Sequence, residues 1–209
     1  MATVALLGKG SLAIKIADYF LARPEQYTLA GVVPVFPEPA WTDSLNDWCE
    51  SHGVKTYRNH NDLPHDLDLA FSCFFDKILR RAFLDRHKRT LNLHNAPLPK
   101  YRGVNPVNWA LKNNEREHGV TIHEITPGID DGPIVAQVKY SIYPEFDEVR
   151  DVYQRSLEFG WVLFQATMPL LNRIRPMPQD DAQATYYSAA DRGGLGDRAS
   201  WTRAESVRS

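Results

Sequence analysis

Val4-Ala5-Leu6-Leu7-Gly8-Lys9-Gly10-Ser11-Leu12-Ala13 is the stretch that decides the fold class. Its first four residues form an unbroken apolar run, the pattern of a strand buried on both faces in a parallel sheet. Gly8-Lys9-Gly10 turns the chain, and Ser11 is placed to cap a helix. That helix carries Leu12, Ile14, Ile16, Ala17, Phe20 and Leu21 roughly on one side, and Pro24 closes it. The same glycines match a G-x-G-x-x-G/A dinucleotide loop, which also calls for an acid about 20 positions on, after the second strand. That place reads Val33-Pro34-Val35, so a tight strand-to-helix turn is the preferred reading. The helix N-terminus stays open to an anion.

Reading outward, Leu29-Ala30-Gly31-Val32-Val33 is a second strand, and Pro34, Pro37 and Pro39 break regular structure beyond it. Thr42 or Asp43 starts another helix with Leu45, Trp48 and Cys49 inward, and Gly53 ends it. Spacing predicts an apolar strand over 67–74 and a basic helix over 78–86. Strands alternating with helices predict an α/β domain built on a doubly wound, mostly parallel sheet. Beyond it, Thr90-Leu91-Asn92-Leu93-His94 reads as a short strand, and a helix runs through Val107, Trp109, Ala110 and Leu111. Strands over 120–125 and 134–142 flank a linker of turn formers, the mark of a hairpin with a wide loop. A long amphipathic helix is expected from about 146 to 174, interrupted near Pro169. After Arg175 the composition shifts to Pro, Gly, Asp and Arg, so 1–175 reads as one domain and 176–209 as a short C-terminal extension.

Composition narrows the function. A chain of 209 residues can bury a real core, and a formal net charge of −2 argues against a large nucleic-acid footprint. Cys49 and Cys73 are too few for a disulfide framework and pair with no histidine at a metal-ligand spacing, so no metal is expected. No apolar run approaches the roughly 20 residues that span a bilayer. Residues 1–8 lack the basic start of a signal peptide, which makes the cytoplasm the expected compartment.

Asn92 and His94 are the sharpest local feature. Residues i and i+2 on a strand project to one face, so an amide and an imidazole point together. Histidine titrates near neutrality and suits proton transfer, while an Asn amide can donate to a developing oxyanion. On spacing alone, a locally bonded Asn92 and a satisfied core His94 are equally good readings. Asp130 and Asp131 sit in the hairpin loop, where a carboxylate could orient His94 or simply make a turn. Lys77, Lys100 and Arg102 could meet phosphates or be solvated surface. His60, His65, His118 and His123 read as structural or exposed, and Tyr186-Tyr187 as a packed strand or a stacking platform.

Leu91-Asn92-Leu93-His94-Asn95-Ala96-Pro97-Leu98-Pro99-Lys100-Tyr101-Arg102-Gly103 resembles the Asn-x-His…Leu-Pro-Lys-x-x-Gly signature of folate-dependent formyltransferases. The resemblance continues through His118-Gly119-Val120-Thr121-Ile122-His123 and Gly128-Ile129-Asp130-Asp131-Gly132-Pro133-Ile134. It covers 67–165 well and the first 60 residues only as topology. It implies a formyltransferase-like Rossmann-type core with Asn92, His94 and Asp130, rather than Asp131, as catalytic residues. It also implies 10-formyltetrahydrofolate as formyl donor. Phe75-Asp76-Lys77-Ile78-Leu79 is similar to the segment that grips the pterin, and Gly128 and Ile129 belong to the same cofactor-binding expectation. Lys100, Arg102 and Asn105 are the expected substrate contacts.

The resemblance implies a primary amine as the acceptor. Too few residues follow Arg175 for the second, basic domain of methionyl-tRNA formyltransferases. The first loop departs from the Ser-Gly-x-Gly-Ser-Asn of glycinamide ribonucleotide formyltransferases. Pro178-Gln179-Asp180-Asp181-Ala182-Gln183-Ala184-Thr185-Tyr186-Tyr187 looks like the Gln-Asp-x-x-x-Ala-Thr-Tyr segment of the sugar and tRNA branches. Asn105-Pro106-Val107-Asn108-Trp109-Ala110 looks like the sugar branch. A nucleotide-linked amino sugar is therefore the expected small-molecule partner, with glycinamide ribonucleotide the alternative. The resemblance also implies a possible homodimer, while the net charge and the lack of a long apolar run lead to no nucleic-acid or membrane partner being expected. Rivals of other classes are a nicotinamide-dependent oxidoreductase, resting only on Gly8, Gly10 and Ala13, and a non-catalytic folate- or nucleotide-binding module.

Overall fold

In the computed structural model, which describes residues 1–203, the opening apolar run becomes strand β1 (Ala2–Gly8), and the turn after it leads into helix α1 (Gly10–Leu21). Next come β2 (Tyr27–Pro34), α2 (Leu45–Ser51), β3 (Leu69–Cys73), α3 (Arg81–Leu84) and β4 (Thr90–His94). The rest comprises β5 (Arg102–Gly103), α4 (Pro106–Lys112), β6 (Glu117–Glu124), β7 (Ile134–Ser141), α5 (Val149–Thr167) and β8 (Tyr186–Tyr187). Of the expected C-terminal extension, residues 204–209 lie outside the described residues.

Six strands form one mixed, mostly parallel sheet in the order β2-β1-β3-β4-β6-β7. β1 pairs in parallel with both β2 and β3, and β3 with β4. The walk from β1 to β2 therefore runs opposite to the walk from β3 to β4. Right-handed crossovers then place α1 and α3 on opposite faces, which is the doubly wound plan. β6 and β7 are antiparallel. Ile142 N–H donates to the Arg116 carbonyl, Lys139 pairs with Glu117, and Gly119 lies against the Val138 carbonyl, so numbers rise on one strand as they fall on the other. β5 and β8 make a separate two-stranded parallel sheet.

The chain divides into two compact units. The first holds Met1–Leu93 and His123–Gly128. Its core gathers Ala5, Leu7, Val33, Leu63, Leu67, Ala70, Leu79 and Phe83. Leu12, Ala13, Ile16, Ala17 and Phe20 of α1 are buried as their spacing requires. At Gly8 a Cβ would stand 2.2 Å from the Cys73 carbonyl oxygen, so the close approach of β1 and β3 demands a glycine there. At Gly10 φ is +77° and a Cβ would stand 2.5 Å from Thr42 Oγ1. The second unit holds His94–Ile122 and the described residues from Ile129 on. There α5 buries Val149, Val152, Ser156, Leu163 and Phe164. Tyr187 stacks on Trp109 with ring centroids 4.1 Å apart, and on Tyr101 at 6.0 Å. Tyr187 is thus both strand and stacking platform.

Several local expectations shift. Ser11 does not cap α1: the N-cap is Lys9, in extended conformation and without a side-chain cap bond. α2 starts after Ser44, whose Oγ accepts from Asp47 N–H. The helix expected over 78–86 shrinks to the four residues of α3, because Arg86 and His87 N–H already turn back to carbonyls only three residues behind. α5 begins later than expected, at a reciprocal cap between Glu148 and Asp151, and gives way to a 3-10 turn at Met168–Leu170, the interruption expected near Pro169.

Candidate active site

In the first unit Asn92 is half-buried on β4. The β3–β4 register sets Ser72 opposite it, and Ser72 Oγ donates to Asn92 Oδ1 at 2.8 Å. His123 Nδ1 lies 2.8 Å from the Glu124 carbonyl, which makes Nδ1 the protonated nitrogen and leaves the Nε2 lone pair to accept from Asn92 Nδ2 at 3.2 Å. Ser72 and His123 therefore orient the amide from both ends. Its second Nδ2 hydrogen has no partner among the described residues.

In the second unit His94 is 7% exposed. Its Nε2 donates to the Tyr101 carbonyl at 2.9 Å, so Nδ1 is the nitrogen that faces Asp130 Oδ2, 3.6 Å away. That distance is too long for a hydrogen bond and short enough for charge interaction. Tyr101 is fixed in turn: its N–H donates to Thr185 Oγ1 at 2.7 Å and its hydroxyl to Glu115 at 2.8 Å. Asp130 has φ +51°, in the left-handed region, and its Oδ2 accepts from Gly103 N–H at 2.9 Å. Gln179 Nε2 donates to the carbonyls of Asp130 and Gly132, both at 2.8 Å. Behind the histidine, His118 is fully buried, with Nε2 donating to the Asn95 carbonyl at 3.0 Å. Burial pushes its pKa down to about 3; the Asn95 bond opposes this, and nearby His94 adds to it.

Residues 75–79 form an irregular segment after β3, with Leu79 buried, Phe75 half-buried and Ile78 62% exposed. Among the described residues, none of the five backbone N–H groups donates to a carbonyl. Gly128 N–H bonds only locally, to Thr126, and Ile129 is exposed. Lys100 pairs with Glu115 at 3.3 Å. Arg102 gives Nε and Nη2 to Gln179 Oε1, and Nη2 also to Asp181 at 2.7 Å. Asn105 is the left-handed N-cap of α4 and makes no cap bond with its side chain. Sequence reasoning missed Ser72, His123, Thr185 and Gln179. Ser72, a polar residue inside an apolar strand, carried a local signal, and Gln179 and Thr185 stood in the segment 178–187 already likened to the family. Among the described residues no group of three or more His, Cys, Asp or Glu could hold a metal ion, and no helix is long and apolar enough to cross a membrane.

The family model of the formyl transferases matches residues 46–167, well over half of the chain and the whole stretch containing Asn92, His94 and Asp130. The chain belongs to the formyl transferase family. This family member is 36% identical over 120 residues to the methionyl-tRNA formyltransferase of Deinococcus radiodurans, a match covering 57% of this chain and 37% of that protein. It is 35% identical over 123 residues to the bifunctional polymyxin resistance protein ArnA of Wigglesworthia glossinidia brevipalpis, covering 57% of this chain and 19% of that protein. The formyl transferase chain thus spans well under half the length of either relative. Among solved structures, the sugar 3N-formyltransferase WlaRD, crystallised with dTDP and 5-N-formyl-THF, superposes with a TM-score of 0.80 at 27% identity, over 91% of this chain and 71% of that one. An N-formyltransferase from Helicobacter canadensis, in complex with folinic acid and dTDP-3-aminofucose, gives 0.79 at 29% identity, over 91% and 72%.

Proposed function

We propose that this formyl transferase moves a formyl group from 10-formyltetrahydrofolate to the primary amine of a nucleotide-linked amino sugar, with Asn92, His94 and Asp130 as catalytic residues. The observation that carries it is the unspent Nδ2 hydrogen of Asn92. That amide is locked at both other positions and sits two residues from His94 on β4, so the two side chains project to one face. Asn92 donates that hydrogen to the formyl oxygen as negative charge builds on it. His94, with Nδ1 facing the Asp130 carboxylate, accepts the proton that the attacking amine loses, and Asp130 steadies the ring while it is charged. His94 then returns that proton to the folate nitrogen as its bond to the formyl carbon breaks.

Residues 75–79 suit the folate: free backbone N–H groups on an exposed segment, anchored by buried Leu79, can meet the polar edge of a pterin. Gly128 and exposed Ile129 belong to the same proposed contact. Bound there, the folate supplies the formyl carbon. The sugar-nucleotide half of the proposal rests on the two solved relatives, whose bound ligands are dTDP and dTDP-3-aminofucose. Lys100, Asn105 and Arg102, whose Nη1 has no partner among the described residues, are its proposed contacts. A cytoplasmic location, in keeping with free thiols at Cys49 and Cys73, belongs to the same proposal.

Asn92→Ala and His94→Ala test the chemistry in single-turnover formyl transfer. Each should slow the reaction by about 10²–10³-fold, the usual loss on removing one oxyanion donor. Rates within a few-fold of the parent would remove both residues from the mechanism.

A further inference from the structure

We infer that Gln179 is a positioning residue, whose side-chain amide holds the conformation in which Asp130 faces His94. This rests on the catalytic reading of Asp130 given above. The φ of Asp130 is +51°, in the left-handed region that Asp visits more readily than most non-glycine residues but still at a cost, so contacts that hold the loop there help to keep it. Gln179 supplies such a hold. Both Nε2 hydrogens are spent on one short stretch of loop, at the carbonyls of Asp130 and Gly132, each at 2.8 Å. Both lone pairs of Oε1 accept from Arg102, from Nε at 3.0 Å and Nη2 at 2.8 Å. A guanidinium only donates, so Arg102 fixes which end of the amide is oxygen and aims the NH₂ at the loop.

The opposite side of Asp130 is held by the same strand. Arg102 and Val104 N–H donate across the β5–β8 ladder to the carbonyls of Thr185 and Tyr187, while Gly103 N–H donates the other way, to Asp130 Oδ2 at 2.9 Å. Residue 103 has to be glycine: φ is +91°, and a Cβ would stand 2.1 Å from the Tyr187 carbonyl oxygen. The loop carbonyl and the carboxylate of Asp130 are therefore gripped by two neighbours on one rigid frame, Gln179 through Arg102 and Gly103 through β5. Gln179 lies beyond the stretch 46–167 that the family model matches.

Gln179→Glu isolates the role. Glutamate keeps a partner for Arg102 but cannot donate to the two carbonyls and repels them. Two readouts are taken on the full chain. By NMR, hydrogen exchange at the Gly103 amide should accelerate about tenfold or more, while the Arg102 and Val104 amides keep their protection and report an intact frame. In formyl transfer, kcat should fall about 10–100-fold with KM for folate and amine nearly unchanged, the pattern of a displaced catalytic group. Gln179→Met, which removes the hydrogens without adding charge, serves if the glutamate variant does not fold. Unchanged exchange at Gly103 would overturn the inference, and so would accelerated exchange with unchanged kcat. A parent chain that transfers no formyl group would overturn the functional reading instead, and the exchange arm would still decide whether Gln179 holds the loop.

Discussion

His118 shows what a single buried residue does to the whole chain's response to acid. Its ring is fully buried, one nitrogen spent on the Asn95 carbonyl and Nδ1 without a partner among the described residues. Burial holds its folded pKa at about 3, against 6.5 for an unperturbed ring. The unfolded chain therefore binds this proton first. The stability from keeping His118 neutral is complete above pH 6.5 and is lost as the pH falls from there toward 3. By pH 4.5 the loss from this residue is about 3 kcal/mol. Thermal unfolding followed from pH 7 to 4.5 should fall more steeply in the parent than in His118→Gln, which keeps a donor for Asn95 but has no proton to gain. Parallel curves would contradict the assignment. The same scale shows why the candidate site was only partly legible. Asn92 and His94 could be read because their spacing is local to one strand. Their supports could not: Ser72 is 20 residues from Asn92 and His123 is 31, and Gln179 is 49 from Asp130. No local pattern records pairings at that range.

Among elements, α2 shows a helix start fixed by chemistry outside the helix. Thr42 and Asp43, the starts expected from the sequence, are both good caps by residue type, yet the helix starts after Ser44. Glu38 makes the choice. Its carboxylate accepts from Ser44 Oγ at 2.6 Å and from Leu45 N–H at 2.8 Å, while Ser44 Oγ accepts from Asp47 N–H at 3.0 Å. Two side chains thus satisfy first-turn donors of a helix only seven residues long. Ser44→Ala should cost about 1 kcal/mol, seen as a Tm lower by about 2–4 °C. A Tm unchanged within a degree would show that Glu38 caps the helix alone. α1 and α5 were legible because their apolar periodicity runs for 12 and 19 residues. α3 was not, since 78–86 has helical composition but only Leu84 and Asp85 N–H reach carbonyls four residues back, and the bonds of Arg86 and His87 tighten to three. The two-residue strands β5 and β8 exist only through their pairing with each other, which no short window of sequence can show.

At the scale of the molecule, the fold class followed from alternation of strands and helices, but the strand order did not. That β1 lies between β2 and β3, reversing the walk across the sheet, is a non-local fact, and it is this order that makes the sheet doubly wound. The glycines after β1 illustrate the same limit. They match a dinucleotide loop in spacing, yet the structure accounts for Gly8 by the Cys73 carbonyl and for Gly10 by Thr42. Membership of the formyl transferase family, the orientation of Asn92 by Ser72 and His123, and the approach of Asp130 to His94 each support the formyl transfer proposed above. The measurement that tests it most directly is tetrahydrofolate release from 10-formyltetrahydrofolate with a panel of amines: dTDP- and UDP-linked amino sugars, glycinamide ribonucleotide and methionyl-tRNA. The account predicts release with an amino-sugar nucleotide, matched by formylated product and lost in Asp130→Asn. Release with glycinamide ribonucleotide or methionyl-tRNA alone, or undiminished release in Asp130→Asn, would contradict it.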